Sequence, residues 1–175
     1  MRQILAAMIA LSLPSTAIAQ TQSTCLTRAE AESLMTFALP SAMRALTKHC
    51  TPNLPATSAL VQSGPLIAAR YQPDADKAWA SAKVGFDKLS GLKLSEQLGE
   101  EAAKGLIQAG FGAGLVEQIK PQDCVQVDRF VDILQPLPAK NMAMLLTAFM
   151  ELGGNKKPAG KSPFNICPAA PKSGN

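Results

Sequence analysis

Apolar residues return every three or four positions along most of this chain, the period of a helix that buries one face. Thr27-Arg28-Ala29-Glu30 has the form of a capping box, and Leu34, Phe37 and Ala38 mark the inner face of the helix it starts. Pro40 lacks the amide that would bond Thr36. The pattern therefore predicts an interruption there and a second piece, capped by Ser41, to about His49. Pro52, Pro55, Pro65 and Pro73 predict short helical pieces near 55–62 and 65–71. A clearer helix follows, with Ala75, Trp79, Ala82, Phe86 and Leu89 on one face and Gly91 as its stop. Another begins near Ser95 and runs to Gly110 or beyond, with Glu100 and Lys104 at the spacing of an ion pair.

Pro121 opens the next helix, with Asp123 near its start and Val127, Val131 and Leu134 along one face. Gln135-Pro136-Leu137-Pro138 is a stiff corner. The segment Ala139 to Leu152 is apolar nearly all round (Met142, Leu145, Leu146, Phe149, Met150), which predicts a helix at the centre of the core, stopped by Gly153-Gly154. No stretch reads as a strand. The expected class is all-α, an irregular bundle of about six or seven helices.

The first residues change the picture. Arg2, the apolar run Ile4 to Leu13, the break at Pro14-Ser15-Thr16 and the small residues Ala17 and Ala19 have the three-part layout of a secretory signal peptide. The run is too short for the roughly 20 residues that span a bilayer. Residues 1–19 are therefore read as a signal cleaved after Ala19, residues 20–153 as one helical domain, and residues 154–175 as a basic Pro/Gly-rich tail. Gln22-Ser23-Thr24 before Cys25 is not a lipobox, so no lipid anchor is expected. The short Ala-flanked signal and the lack of any Asn-x-Ser/Thr sequon favour the bacterial periplasm.

All four cysteines, Cys25, Cys50, Cys124 and Cys167, follow the cleavage site, and an even count in an exported chain predicts two disulfides. The helices at 123–135 and 139–152, joined by a short corner, are expected to lie antiparallel, which would return the chain to Cys124 and pair it with Cys167. Cys25–Cys50 is then left. That second pair is possible only if Pro40 folds residues 27–48 into a hairpin, because a straight helix of that length spans about 33 Å. If Pro40 only kinks the helix, one of the other two connectivities must hold.

Charge and chemistry exclude more than they assign. Four lysines between Lys156 and Lys172, with no acid nearby, account for the net charge of +4 and leave the body near neutral. Such a body does not present the basic face that nucleic acid requires, although the tail could be drawn weakly to an anionic membrane surface. No CxxC motif and no P-loop is present. His49, the one histidine, is expected to serve helix-end carbonyls, and Met35, Met43, Met142, Met144 and Met150 to fill the core. Glu96, Glu100 and Glu101 read as a solvated first turn, matched to the helix dipole.

The unusual stretch is Gly105 to Val116, with four glycines in ten residues. Each costs a helix about 1 kcal/mol against alanine, so close approach of another helix along Gly110 and Gly114, or a loop at Gly112, is expected. No catalytic, cofactor-binding or metal-binding residue is assigned. The functional expectation is an exported, non-enzymatic helical protein that binds a protein or an envelope component. The alternatives are a carrier of a small hydrophobic ligand, held between Gly105, Gly110 and Gly114 and the side chains of Met142, Leu146 and Phe149, and a carboxylate-dependent hydrolase.

Overall fold

The computed structural model describes residues 25–154 and 165–167; the signal-like segment and the lysines of the tail lie outside them. Six α-helices follow in order: α1 Arg28–Cys50, α2 Ala59–Ser90, α3 Leu94–Leu98, α4 Glu100–Glu117, α5 Cys124–Leu134 and α6 Ala139–Gly154. The all-α class holds. Among the described residues the only extended pairing is an isolated parallel bridge between Leu26 and Ile166.

The predicted capping box starts α1: Thr27 Oγ1 accepts from the Glu30 amide at 3.2 Å, and the Thr27 amide donates to Glu30 Oε2 at 2.9 Å. Pro40 does not interrupt the helix, which runs unbroken for 23 residues with Pro40 buried inside it. Ser41 is accordingly no cap; its hydroxyl donates to the Ala38 carbonyl. Pro65 and Pro73 likewise lie within one helix of 32 residues rather than between short pieces. An interior proline costs about 3 kcal/mol. Burial of a large aliphatic or Phe side chain returns about 1.5–3 kcal/mol, and Leu34, Phe37, Leu60 and Ile67 are all buried along the α1–α2 seam. Packing along the whole seam outweighs the local breaks. The stop at Gly91 is as expected, in the left-handed region at φ 67°.

α1 and α2 form an antiparallel hairpin pinned from end to end. A side chain on Gly64 would run into the Thr47 hydroxyl, and one on Gly85 would stand 3.4 Å from the Glu30 carbonyl oxygen, so the helices are closely apposed at both places. Arg44 donates to Gln72 at 2.8 Å, the rings of Phe37 and Trp79 stack tilted at 5.0 Å, and Lys88 bonds Glu30 at 2.6 Å. Two apolar clusters sit along this hairpin. One gathers Met43, Leu60, Tyr71 and Val131, and the other Leu26, Leu34, Phe37 and Trp79.

The helix expected from Ser95 onward is two helices, because Gly99 at φ 81° turns the chain between α3 and α4. The larger correction concerns α5 and α6. They are not an antiparallel pair. Asp128 of α5 accepts from the Leu60 amide at 2.7 Å, Arg70 donates to the Gln135 carbonyl, and the Tyr71 hydroxyl donates to the Leu137 carbonyl at 2.8 Å. At the far end Arg28 lies 3.7 Å from Glu151. α5 therefore runs beside the first half of α2 in the same direction, and α6 carries on along α1 toward its start.

This course fixes the cystines as Cys50–Cys124 and Cys25–Cys167, with Cα separations of 5.4 and 5.0 Å. The expected Cys124–Cys167 and Cys25–Cys50 pairs are overturned for the reasons that made them conditional. Unbroken, α1 holds its terminal cysteines a helix length apart, and α6 leads the chain away from Cys124. Nor is α6 central. It buries only the small stripe Ala139, Ala143 and Thr147 against α1 and leaves Phe149 and Leu152 more than 60% exposed.

Asp128 has a role that its place in α5 does not advertise. Ser58, at the start of α2, makes no capping bond with its own side chain. The carboxylate of Asp128 satisfies the Leu60 amide instead, a cap supplied from another helix. Asp128→Ala is expected to lower unfolding free energy by about 1–2 kcal/mol, the usual cost of a lost cap. Denaturant melts should show Asp128→Asn close to the parent.

Candidate functional site

α4 carries the segment singled out by its glycines. Glu100 and Glu101 open the helix, where its N-terminal amides favour negative charge. On the inner side Ala103, Ile107 and Gly112 are buried. Glu100 accepts from the Trp79 indole at 3.3 Å and lies 3.7 Å from Lys83. Lys104 bonds Glu101 at 2.6 Å, not Glu100 as the spacing suggested, and its ammonium stands 5.7 Å from the Trp79 ring centre.

The close approach required by the glycines exists, but at Gly112. A Cβ there would stand 3.2 Å from the Ala45 Cβ and 3.4 Å from the Ser41 carbonyl oxygen, and the helix continues through it without a loop. Gly110 and Gly114, two residues to either side, lie about 160° around the helix at roughly 100° per residue. The register that turns Gly112 inward necessarily turns them outward. Among the described residues, Gly105, Gly110 and Gly114 have no atom beyond their own helix's nearby backbone within 4 Å of where a side chain would begin. Leu106 (52% exposed) and Leu115 (38%) lie to either side of Gly110 and Gly114, and no charged residue falls between Gly105 and Val116.

Met142 and Leu146 are half-buried against the cluster around Met43 and Tyr71, whereas Phe149 is exposed. α4 and α6 each pack chiefly on α1, so these side chains do not close a chamber with the open glycines. An open cleft of about 330 Å³ lies instead between α1 and α4, lined by Ala45, Lys48, His49, Gly112, Ala113 and Val116. His49 is engaged at its edge: Nε2 is 2.9 Å from the Ile119 carbonyl, on the segment after α4 rather than on its own helix end.

The carboxylates of α3 and α4 make ion pairs and hydrogen bonds with neighbouring side chains. Glu96 pairs with Lys93 at 3.2 Å and, like Glu100, is about 60% exposed. Burial pushes Glu30 upward, but the Lys88 bond and the Thr27 hydrogen bonds outweigh it and hold the carboxyl below its ordinary value. Burial raises Asp87, with Glu96 adding to the effect and Lys83 and Lys93 opposing it. The Glu101 hydrogen bond raises Lys104. Among the described residues no three His, Cys, Asp or Glu side chains gather as metal ligands, and no helix is long and apolar enough to cross a membrane.

Sequence reasoning found the α4 glycines but missed their leucine flanks and the exposed Phe130 and Ile133 of α5. The absence of charge from Gly105 to Val116 was the available signal. No protein-family model, curated protein or solved structure matches the chain.

Proposed function

We propose that this protein is an exported, non-enzymatic helical scaffold of the bacterial periplasm that binds another protein through the outer face of α4. One observation carries the reading: Gly110 and Gly114 stand open together on one face of an exposed helix, each costing stability, with no neighbour among the described residues that needs them. A bare backbone flanked by Leu106 and Leu115 allows an incoming helix to approach closely, and leucines give it apolar area to cover. The signal-like N-terminus and two disulfides fit an oxidising compartment outside the cytoplasm.

The test uses a photo-reactive residue in place of Leu106, expressed in the native host, with the same residue at Leu66 as an exposed control on α2. A discrete protein adduct from position 106, lost when Gly110→Leu is added, is the expected result. Equal labelling from both positions, or an adduct indifferent to Gly110→Leu, would refute the α4 face. A second reading, a carrier of a small apolar ligand, has the α1–α4 cleft beside His49 in its favour. Native mass spectrometry of protein taken from the host would show added mass for a carrier and none for a scaffold.

A further inference from the structure

The two cystines sit in opposite surroundings. Cys50 and Cys124 are 0% exposed, packed in the cluster with Met43 and Leu60. Cys25 and Cys167 are both partly exposed. Among the described residues the second cystine ties down residues 165–167, which lie along Leu26 as a single bridge. The Leu26 amide donates to the Asn165 carbonyl, and the Cys167 amide to the Leu26 carbonyl, both at 2.7 Å. Beneath this strap Leu26 is 0% exposed, close against Gly85 of α2, and Ile166 packs on the same apolar cluster.

We infer that Cys25–Cys167 is a reducible clasp over the end of the α1–α2 hairpin, opened by a dithiol while Cys50–Cys124 stays closed. Exchange begins with in-line attack of a thiolate on a disulfide sulfur, so a cystine with both sulfurs buried is shielded and a partly exposed one is open. The reductant's thiolate attacks one clasp sulfur, forming a mixed disulfide and expelling the other cysteine as a thiolate, which takes up a proton. The reductant's second thiol, losing its proton, attacks the reductant sulfur of that mixed disulfide and releases the remaining cysteine. One sulfur–sulfur bond is lost in the protein and one forms in the reductant, and two electrons pass to the protein. With the covalent tie gone, residues 165–167 keep two backbone hydrogen bonds and the packing of Ile166 among the described residues, and their departure uncovers Leu26. The clasp thereby couples the redox state of the surroundings to an apolar surface at the opposite end of the hairpin from Cys50–Cys124.

The experiment treats the oxidised exported chain with dithiothreitol under native conditions, quenches with acid at intervals, alkylates and maps the peptides. Cys25 and Cys167 should be labelled at least ten times faster than Cys50 and Cys124. Binding of an apolar dye should rise in step, and the helical circular dichroism should persist. Equal rates, earlier opening of Cys50–Cys124, or loss of the helical signal with the first cystine would overturn the clasp. The Cys25→Ser/Cys167→Ser variant provides a second measurement. It should keep Cys50–Cys124 oxidised and bind the dye without reductant, and a variant that folds but binds no more dye than the oxidised parent would refute the uncovering of Leu26.

Discussion

Replacing Cys50 and Cys124 together by alanine is expected to lower the unfolding free energy by about 4 kcal/mol or more. The bridge closes a loop over a sequence separation of 74, for which the chain-entropy model gives roughly 4–4.5 kcal/mol. Two further losses act in the folded state. Both sulfurs are completely buried among Met43, Leu60 and Val131, so alanine leaves empty volume that α1 and α5 can only partly close. The bridge is also the covalent tie that sets α5 beside the start of α2, where Asp128 caps it. The same model gives roughly 5 kcal/mol for the longer loop of Cys25–Cys167. The two bridges therefore differ less in loop entropy than in access and in what each holds: one is sealed inside the core, and the other ties down an end. Denaturant unfolding of the double variant, with m-values compared to confirm a two-state transition, measures the first effect. A loss below 1 kcal/mol would mean that the Cys50–Cys124 loop contributes little.

Much of the fold was legible because its signals are local. The capping box at Thr27 and Glu30, the inward set Ala75, Trp79 and Ala82 and the stop at Gly91 depend on neighbours within a few residues, and the structure keeps all of them. What misled was a local break overridden by distant packing. Pro40, Pro65 and Pro73 each remove a hydrogen bond, but α1 and α2 bury apolar faces along their full length, and the summed burial exceeds the penalty. The cystine error followed directly, since the hairpin at Pro40 was the condition for pairing Cys25 with Cys50. The direction of α6 had no local signal at all. A short proline corner permits either a reversal or a continuation, and the choice is made by contacts such as Tyr71 to Leu137 and Arg28 to Glu151, across separations that periodicity cannot read.

At the candidate site the glycines were recognised, and the error was one of rotation. Gly110 and Gly114 share a face, and so do Gly105 and Gly112 (seven residues apart, close to two turns). Composition alone does not say which set meets α1. Gly112 does so because the Ala45 methyl group and the Ser41 backbone come nearest there. Apolar character also failed as a guide to burial in α6, where the contact is made by Ala139, Ala143 and Thr147 while larger residues stay outside. Small side chains let a helix come close, so the buried stripe of a tightly apposed helix need not be its most hydrophobic one.

That distinction yields the second large effect, with opposite signs at open and closely packed positions of one helix. Gly105→Ala, Gly110→Ala and Gly114→Ala combined should raise the unfolding free energy by roughly 2–3 kcal/mol, because alanine is favoured over glycine by about 0.8–1 kcal/mol at each helix position. Among the described residues nothing opposes the gain: beyond the helix's own nearby backbone no atom lies within 4 Å of any of the three new methyl groups, and none of the three glycines has a positive φ. The expected rise in Tm is roughly 5–10 °C for a domain of this size. Gly112→Leu should do the reverse, costing about 1–3 kcal/mol as the side chain forces α4 off Ala45 and Ser41. Thermal and denaturant melts of the two variants decide the matter. A destabilised triple variant would place an unseen neighbour on the outer face within the monomer, and an unchanged Gly112→Leu would deny the close crossing. If both signs hold, three glycines are being kept at a cost that the isolated fold could shed with three methyl groups. For Gly110 and Gly114, on the face turned away from Gly112, that is the result expected of the proposed docking on α4, where added side chains would stand in a partner's way.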